Sequence, residues 1–278
     1  MPDNKSVANS NKTAGEAVSK CSTPCCKVPE KVPEKGKKVP LDKNNQKFIE
    51  DANKYFDDQI NNNKGTIDRY EKKNLAKDKN FENAKTNINR LTEQKAQFKK
   101  LIDSNNSYGD DFFTLANVIY NEAGTSNPAA KNAVAHAYLN RVNKDHTKNV
   151  CRVREPEGAE VSHYKKHNQS FGTRTDKQPF LNSYISSMEA AEKRLDCKTP
   201  DPTCGATNWL SPKSLSRGGG NSQYRKEYDK YFPTWAISND AYKTMSNKEK
   251  SAHWNPDYKE ITVPGVSPQD FLFYKGVK

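Results

Sequence analysis

The chain holds no apolar run approaching the ~18–20 residues that a membrane-spanning helix needs. Its opening residues, MPDNKSVANSNKTAGE, contain no apolar stretch at all. Membrane insertion is therefore excluded as an expectation, and no secretory signal peptide is read at this end. A protein with this sequence that works outside a cytoplasm is expected to travel by another route. Apolar residues are scarce overall: they make up 33% of the 278 residues, against the usual ~45–50%. Charged residues reach 29%. That deficit excludes a chain packed along its whole length and predicts a polar, partly disordered portion beside one or two folded domains.

What is abundant is positive charge. The 46 Lys and Arg against 34 Asp and Glu leave a formal net charge of +12. Cut at Asn105, the two parts carry 22 − 15 = +7 and 24 − 19 = +5, so the excess is spread and not gathered in a tail. A spread excess favours polyanions, whether nucleic acid, a membrane surface or a bacterial wall. No RNA-binding aromatic signature, zinc-finger spacing or basic-region heptad accompanies it, so no specific nucleic-acid partner is expected. Six cysteines stand at 21, 25, 26, 151, 197 and 204. Cys197 and Cys204 enclose a Pro-containing loop that a disulfide could close in an oxidising compartment. Cys21, Cys25 and Cys26 have no matching His or Cys pair downstream, so no zinc site is expected there.

Residues 1–44 read as a disordered Lys/Pro-rich tether, with Lys27-Val-Pro-Glu closely repeated at Lys31-Val-Pro-Glu. Residues 45–105 read as a helical hairpin, a docking or delivery module. Phe48, Ala52, Tyr55, Phe56 and Ile60 recur at helical steps, and Asn61-Asn-Asn-Lys-Gly65 interrupts the run. Phe81, Ala84, Ile88, Leu91, Phe98 and Leu101 form a second stripe. The turn cluster Asp103 to Gly109 marks a domain boundary, and residues 106–278 read as a globular domain of α+β class, mainly α. Asp110 and Asp111 are suited to cap a helix running through Leu115, Val118, Ile119 and Glu122, with Gly124 as its left-handed terminator. Asn127-Pro128 starts the next helix, which carries Val134, Tyr138 and Arg141. A third helix spans Phe180 to Leu195, and Ile261-Thr-Val and Phe271-Leu-Phe-Tyr read as short strands.

Glu122 breaks the pattern. It lies three and four residues beyond Ile119 and Val118, so its carboxyl shares their apolar face. It also occupies the last helical turn, where the helix dipole disfavours negative charge. Burial and dipole both favour the protonated acid, the form a general acid needs at neutral pH. The plainer alternative is a helix-end Glu that swings to solvent or pairs with Arg141.

Leu115-Ala-Asn-Val-Ile-Tyr-Asn-Glu-Ala-Gly124, followed by Asn132-Ala-Val-Ala-His-Ala-Tyr-Leu-Asn-Arg-Val142, resembles the SleB-type cell-wall hydrolase family of spore-cortex-lytic enzymes. Gln169-Ser-Phe171, Gly205-Ala-Thr-Asn-Trp-Leu-Ser-Pro212, Pro233-Thr-Trp235 and Phe271-Leu-Phe273 continue the likeness in order over about residues 110–278. Ser211-Pro212 departs from the family's Asn-Pro. The segment from Arg152 to Lys166 and the Gly218-Gly-Gly220 loop look peculiar to this chain. The resemblance implies a lysozyme-like catalytic domain without cofactor or metal. It implies cleavage of peptidoglycan between N-acetylmuramic acid and N-acetylglucosamine, with Glu122 as general acid/base. It further implies a glycan cleft lined by Gln169, Phe171, Thr207, Asn208 and Trp209.

Hydrolysis normally needs a second carboxylate about 5–9.5 Å from the first, whereas a lytic transglycosylase uses one acid alone. Asp176 and Glu189 are the nearest second carboxylates, and each reads better as a surface charge. The transglycosylase outcome is favoured slightly. His163 and His167, one helical turn apart, lack the neighbouring Glu of a zinc protease. Cys151 with either His has no supporting element, and Gly218-Gly-Gly220 lacks the strand and helix of a phosphate loop. An antibacterial effector or lysin acting in a target cell's periplasm or wall fits the missing leader. The expected partners are peptidoglycan, a component of a secretion machine and a cognate immunity protein. A non-catalytic wall- or polyanion-binding module is the rival class.

Overall fold

The first long helix, α1 (Lys43–Lys72), starts where the Asp42 carboxylate accepts the Asn45 amide at 2.7 Å. The second, α2 (Lys79–Asn105), is capped in the same way by Asp78 through the Asn80 amide at 2.7 Å. Each cap satisfies a first-turn donor that has no partner within its helix. The expected break at Asn61–Gly65 is absent, because α1 runs straight through it. A Cβ built on Gly65 would meet nothing within 4 Å, so this stretch faces solvent. One exposed helical glycine costs only about 1 kcal/mol relative to alanine, and the contact stripe resumes at half-buried Ile67 and Tyr70.

The computed structural model describes residues 38–144, 170–196, 199–213 and 233–278. After α2 come α3 (Asp110–Ala123), α4 (Pro128–Lys144), a single 3-10 turn (Phe171–Thr173) and α5 (Lys177–Leu195). Beyond them lie β1 (Asn208–Leu210), α6 (Asn239–Thr244), α7 (Asn247–His253), β2 (Trp254–Ile261) and β3 (Leu272–Val277). The described chain is thus mainly helical, with one antiparallel three-stranded sheet in the order β1-β3-β2. Both edge strands face Phe273 of β3, through Trp209 on one side and Ile261 on the other. Gly276 has φ +71° beside the irregularity in the β2–β3 register, and a Cβ there would sit 2.6 Å from the Tyr258 amide nitrogen. Only glycine fits that approach.

The largest core is aromatic and centres on Phe48. Its ring meets Phe98, Phe113, Phe171, Phe180 and Tyr184 nearly edge-on, at centroid distances from 5.2 to 6.5 Å. Edge-to-face pairs contribute about 0.5–1.5 kcal/mol each beyond area burial. These rings come from α1, α2, α3, the 3-10 turn and α5. The two long helices therefore share one hydrophobic core with the segment after Asn105. The turn at 106–109 separates helices, not cores. Two smaller clusters flank the sheet, one against α4 and one under α6 and β2.

Several expectations need correction. Asp110 does not cap α3, whose N-cap is Gly109. The Asp110 carboxylate instead accepts the Asp42 amide at 3.0 Å and the Asn45 side chain at 2.9 Å, tying the start of α1 to the start of α3. Gly124 has right-handed angles, φ −55° and ψ −38°, and no left-handed terminator ends α3. Residues 38–44, assigned to the tether, belong to the fold: Val39 donates its amide to the Asn106 carbonyl at 3.1 Å and Leu41 packs on the core. Residues 1–37 lie outside the described residues. Strand β2 begins at Trp254, seven residues before the apolar run that signalled it.

The shared core makes a test. Phe48→Ala removes a buried ring from five aromatic contacts and is expected to destabilise by about 3–5 kcal/mol. Denaturant unfolding followed in parallel by far-UV signal and by tryptophan fluorescence should give one coincident transition, shifted to lower denaturant. Two separated transitions would mean that α1 and α2 form a unit of their own.

Candidate active site

Glu122 sits in the last turn of α3, half-buried, at the place where the aromatic core gives way to the sheet. The Trp209 indole nitrogen donates to Glu122 Oε2 at 3.2 Å, joining residues 87 apart in sequence. Trp209 is the middle residue of β1 and packs partly on both neighbouring clusters. Its outer face carries the Arg141 guanidinium, whose carbon lies 4.4 Å from the ring centroid. The same guanidinium donates from Nε to the Thr207 carbonyl at 2.7 Å. Glu122, Trp209, Arg141 and Thr207 thus form one constellation from α3, α4, β1 and the residue just before β1. The simpler pairing of Glu122 with Arg141 is replaced by an arrangement in which the indole lies against both.

Thr207 is almost fully buried; its amide donates to the Tyr274 carbonyl at 3.0 Å and its hydroxyl to Asn208 Oδ1 at 2.9 Å. Asn208 and Trp209 are half-buried, so they can present polar and aromatic surface to a ligand. Phe171 cannot. It is 1% exposed and lies within 6.2 Å of the Phe48, Tyr55 and Phe180 ring centres. Its assignment to a glycan cleft is corrected: three aromatic neighbours from two other helices enclose the ring. Gln169, the His163/His167 pair, Cys151 and Gly218–Gly220 lie outside the described residues.

Neither candidate for a second carboxylate is uncommitted. Asp176 accepts from Arg174 Nε and Nη2, both at 2.8 Å, and that bidentate bond holds its carboxyl below the ordinary range. Glu189 accepts from Gln97 across the α2–α5 contact. Among the described residues, no group of three or more His, Cys, Asp or Glu side chains could hold a metal ion. No helix among them is long and apolar enough to cross a membrane.

Behind the constellation lies a buried polar cluster that sequence reasoning passed over. His136, Arg194, Asp201 and Thr203 are all inaccessible or nearly so. His136 Nδ1 stands 3.5 Å from Asp201 Oδ1, and its Nε2 3.4 Å from the Thr199 hydroxyl. Burial, aided by the Arg194 charge and opposed by Asp201, lowers the His136 imidazole to about 4. Burial pushes Asp201 upward, but hydrogen bonds from Thr203 and Asn140 and the adjacent His136 outweigh it, leaving its carboxyl below the usual range. The signal for this cluster was present: Asp201-Pro-Thr203 is an Asx-turn spacing, with Gly205 two residues on. Cys204, in the same loop, is disulfide-bonded and has φ +53°; every other cysteine lies outside the described residues.

No protein-family model, curated protein or solved structure matches this chain.

The buried cluster predicts an acid-sensitive fold. From pH 6.5 down to about 4, an unfolded His136 takes up a proton that the folded one refuses, so acid favours the unfolded chain. Asp201 acts in the same direction as it is protonated. Calorimetry from pH 7 to 4 should show Tm falling steadily, and His136→Gln should flatten the fall across that window. An equal slope in the variant would mean that His136 is solvated.

Proposed function

We propose that this chain cleaves peptidoglycan glycan strands between N-acetylmuramic acid and N-acetylglucosamine, with Glu122 as its general acid/base. The observation that carries this reading is the Glu122–Trp209 contact, with Arg141 stacked on the indole. It unites the acidic helix, the Asn-Arg-Val helix and the Gly-Ala-Thr-Asn-Trp segment, three of the six segments on which the likeness to SleB-type enzymes rests. A lysozyme-like arrangement of the catalytic part belongs to the same proposal.

In the reaction, protonated Glu122 gives its proton to the glycosidic oxygen as the bond from the muramic C1 breaks and positive charge develops on that sugar. The resulting carboxylate then takes the proton of the muramic 6-hydroxyl, whose oxygen adds to C1. The products are an N-acetylglucosamine end and a 1,6-anhydro-muramic end, and Glu122 regains its acid form. Hydrolysis by water in place of the 6-hydroxyl normally uses a second carboxylate. Asp176 and Glu189 are engaged elsewhere, and this favours the transglycosylase course. Asn208 and Trp209, half-buried beside the acid, offer an amide for acetamido groups and the exposed edge of the indole for a sugar.

The setting that best fits such an activity is bacteriolytic, in the periplasm or wall of a target cell. The producing cell would then need an immunity protein able to cover Glu122. The spread charge of +12 suits an anionic wall polymer.

The deciding measurement is mass spectrometry of soluble products from purified peptidoglycan. Glu122→Gln should lower the rate by about 10²–10⁴-fold, the usual contribution of a positioned acid/base, with folding intact. Anhydro-muropeptides from the wild type alone support the proposal in full, and reducing-end products turn it to a hydrolase. Sedimentation with the wall but no cleavage by either protein would overturn it in favour of a binding module.

A further inference from the structure

We infer that Asp201 is a positioning residue for Glu122, acting through the loop it closes and the strand that loop starts. This rests on the reading of Glu122 as the acid/base. Both Asp201 oxygens are fully engaged. Oδ1 accepts the Thr203 amide at 2.8 Å and the Thr203 hydroxyl at 2.7 Å. Oδ2 accepts the Gly205 amide at 2.9 Å and the Asn140 side chain at 2.8 Å. One carboxylate thus folds Asp201–Gly205 into a closed loop and fixes that loop to α4. The loop needs such a clasp, because Cys204 and Gly205 are consecutive left-handed residues, at φ +53° and +83°.

The clasp extends directly to the reacting group. Asn140 also donates to the Ala206 carbonyl at 3.1 Å, and its neighbour Arg141 donates to the Thr207 carbonyl at 2.7 Å. Two successive residues of α4 therefore grip the chain that leads into β1 at Asp201, Ala206 and Thr207. Two residues beyond Thr207 stands Trp209, whose indole reaches Glu122 Oε2. Asp201 never needs to meet substrate: it sets where the loop ends, hence where the indole lies, hence which way the Glu122 carboxyl faces. The carboxylate is the fitting group for this role. Four donors converge on two oxygens, and an amide at 201 would turn its NH2 group against donors on one side.

The test uses the whole chain, labelled with nitrogen-15. It has three tryptophans, so Trp209→Phe identifies the Trp209 indole N–H resonance. Glu122→Gln should move that resonance in the otherwise wild-type chain. With Asp201→Asn the resonance should lie elsewhere, and adding Glu122→Gln should no longer move it. Peptidoglycan cleavage by Asp201→Asn should fall on the order of 10²-fold, the cost of a misplacement near 1 Å. If Asp201→Asn does not fold, Asn140→Ala, which cuts only the α4 arm, should shift the same resonance less far. An unmoved resonance that still responds to Glu122→Gln, in whichever variant folds, overturns the role given to Asp201. Should the wild type cleave no glycan at all, the reading of Glu122 fails, while the indole resonance still decides whether Asp201 sets its neighbour's position.

Discussion

The burial of Phe48 among five aromatic rings is the contact on which the rest of the molecule depends. A chain so poor in apolar residues can build one dense core only by drawing on every segment that has something to contribute. Here α1, α2, α3, the 3-10 turn and α5 each supply rings or large aliphatic side chains to one cluster. Edge-on packing makes that cluster directional as well as cohesive, since each ring's position is set by its neighbours' faces. The direction of α3 follows, and with it the place where Glu122 leaves the core. The Asp110 carboxylate, bonded to the start of α1, fixes the other end of α3. A residue at the end of a helix held at both ends has little room to wander.

On the other side of Glu122 the forces change character. The sheet is small, and β1 contributes three residues to it. Such a strand cannot hold its own position by ladder bonds alone. It is held by α4, through Asn140 and Arg141, and by a loop clasped on a buried carboxylate. Burying Asp201, His136 and Arg194 together is costly unless the charges offset one another and their hydrogen bonds are met. A hydrophobic plug of similar volume could hold the loop as firmly, but it could not dictate where each amide of a left-handed turn points. Directional bonds can, which gives a physical reason for a polar cluster directly behind the constellation.

Much of the helical part was legible in the sequence, because a stripe at three- and four-residue steps is a long signal repeated many times. Asn127-Pro128 did begin α4, with the Asn127 side chain accepting the Ala130 amide. Local signals were less faithful where tertiary contacts competed. Asp110 looks like a cap but is drawn to the amide of Asp42, 68 residues away. Gly65 looks like a stop, yet nothing beside it forces the helix to end. Of the residues assigned to a cleft, Trp209 does stand against Glu122, Thr207 is buried by its own hydrogen bonds, and Phe171 is absorbed by the core. An aromatic residue reads the same on paper whether it will stack on a sugar or on Phe48. Only the count of other rings within reach decides, and that count comes from helices far away in sequence.

The position of Trp209 follows from the same competition. Its ring packs on the aromatic core and on the α4–sheet cluster, so neither cluster can shift without carrying the indole with it. Arg141 covers its other approach and is itself anchored to a backbone carbonyl. A carboxyl on a flexible surface loop would sample many orientations; one bonded to an indole wedged between two cores samples few. Preorganisation of this kind is what the proposed acid/base role of Glu122 requires. The polar half of the fold, expensive as it is to bury, is what makes that wedge stable in a protein with too few apolar residues to build it otherwise.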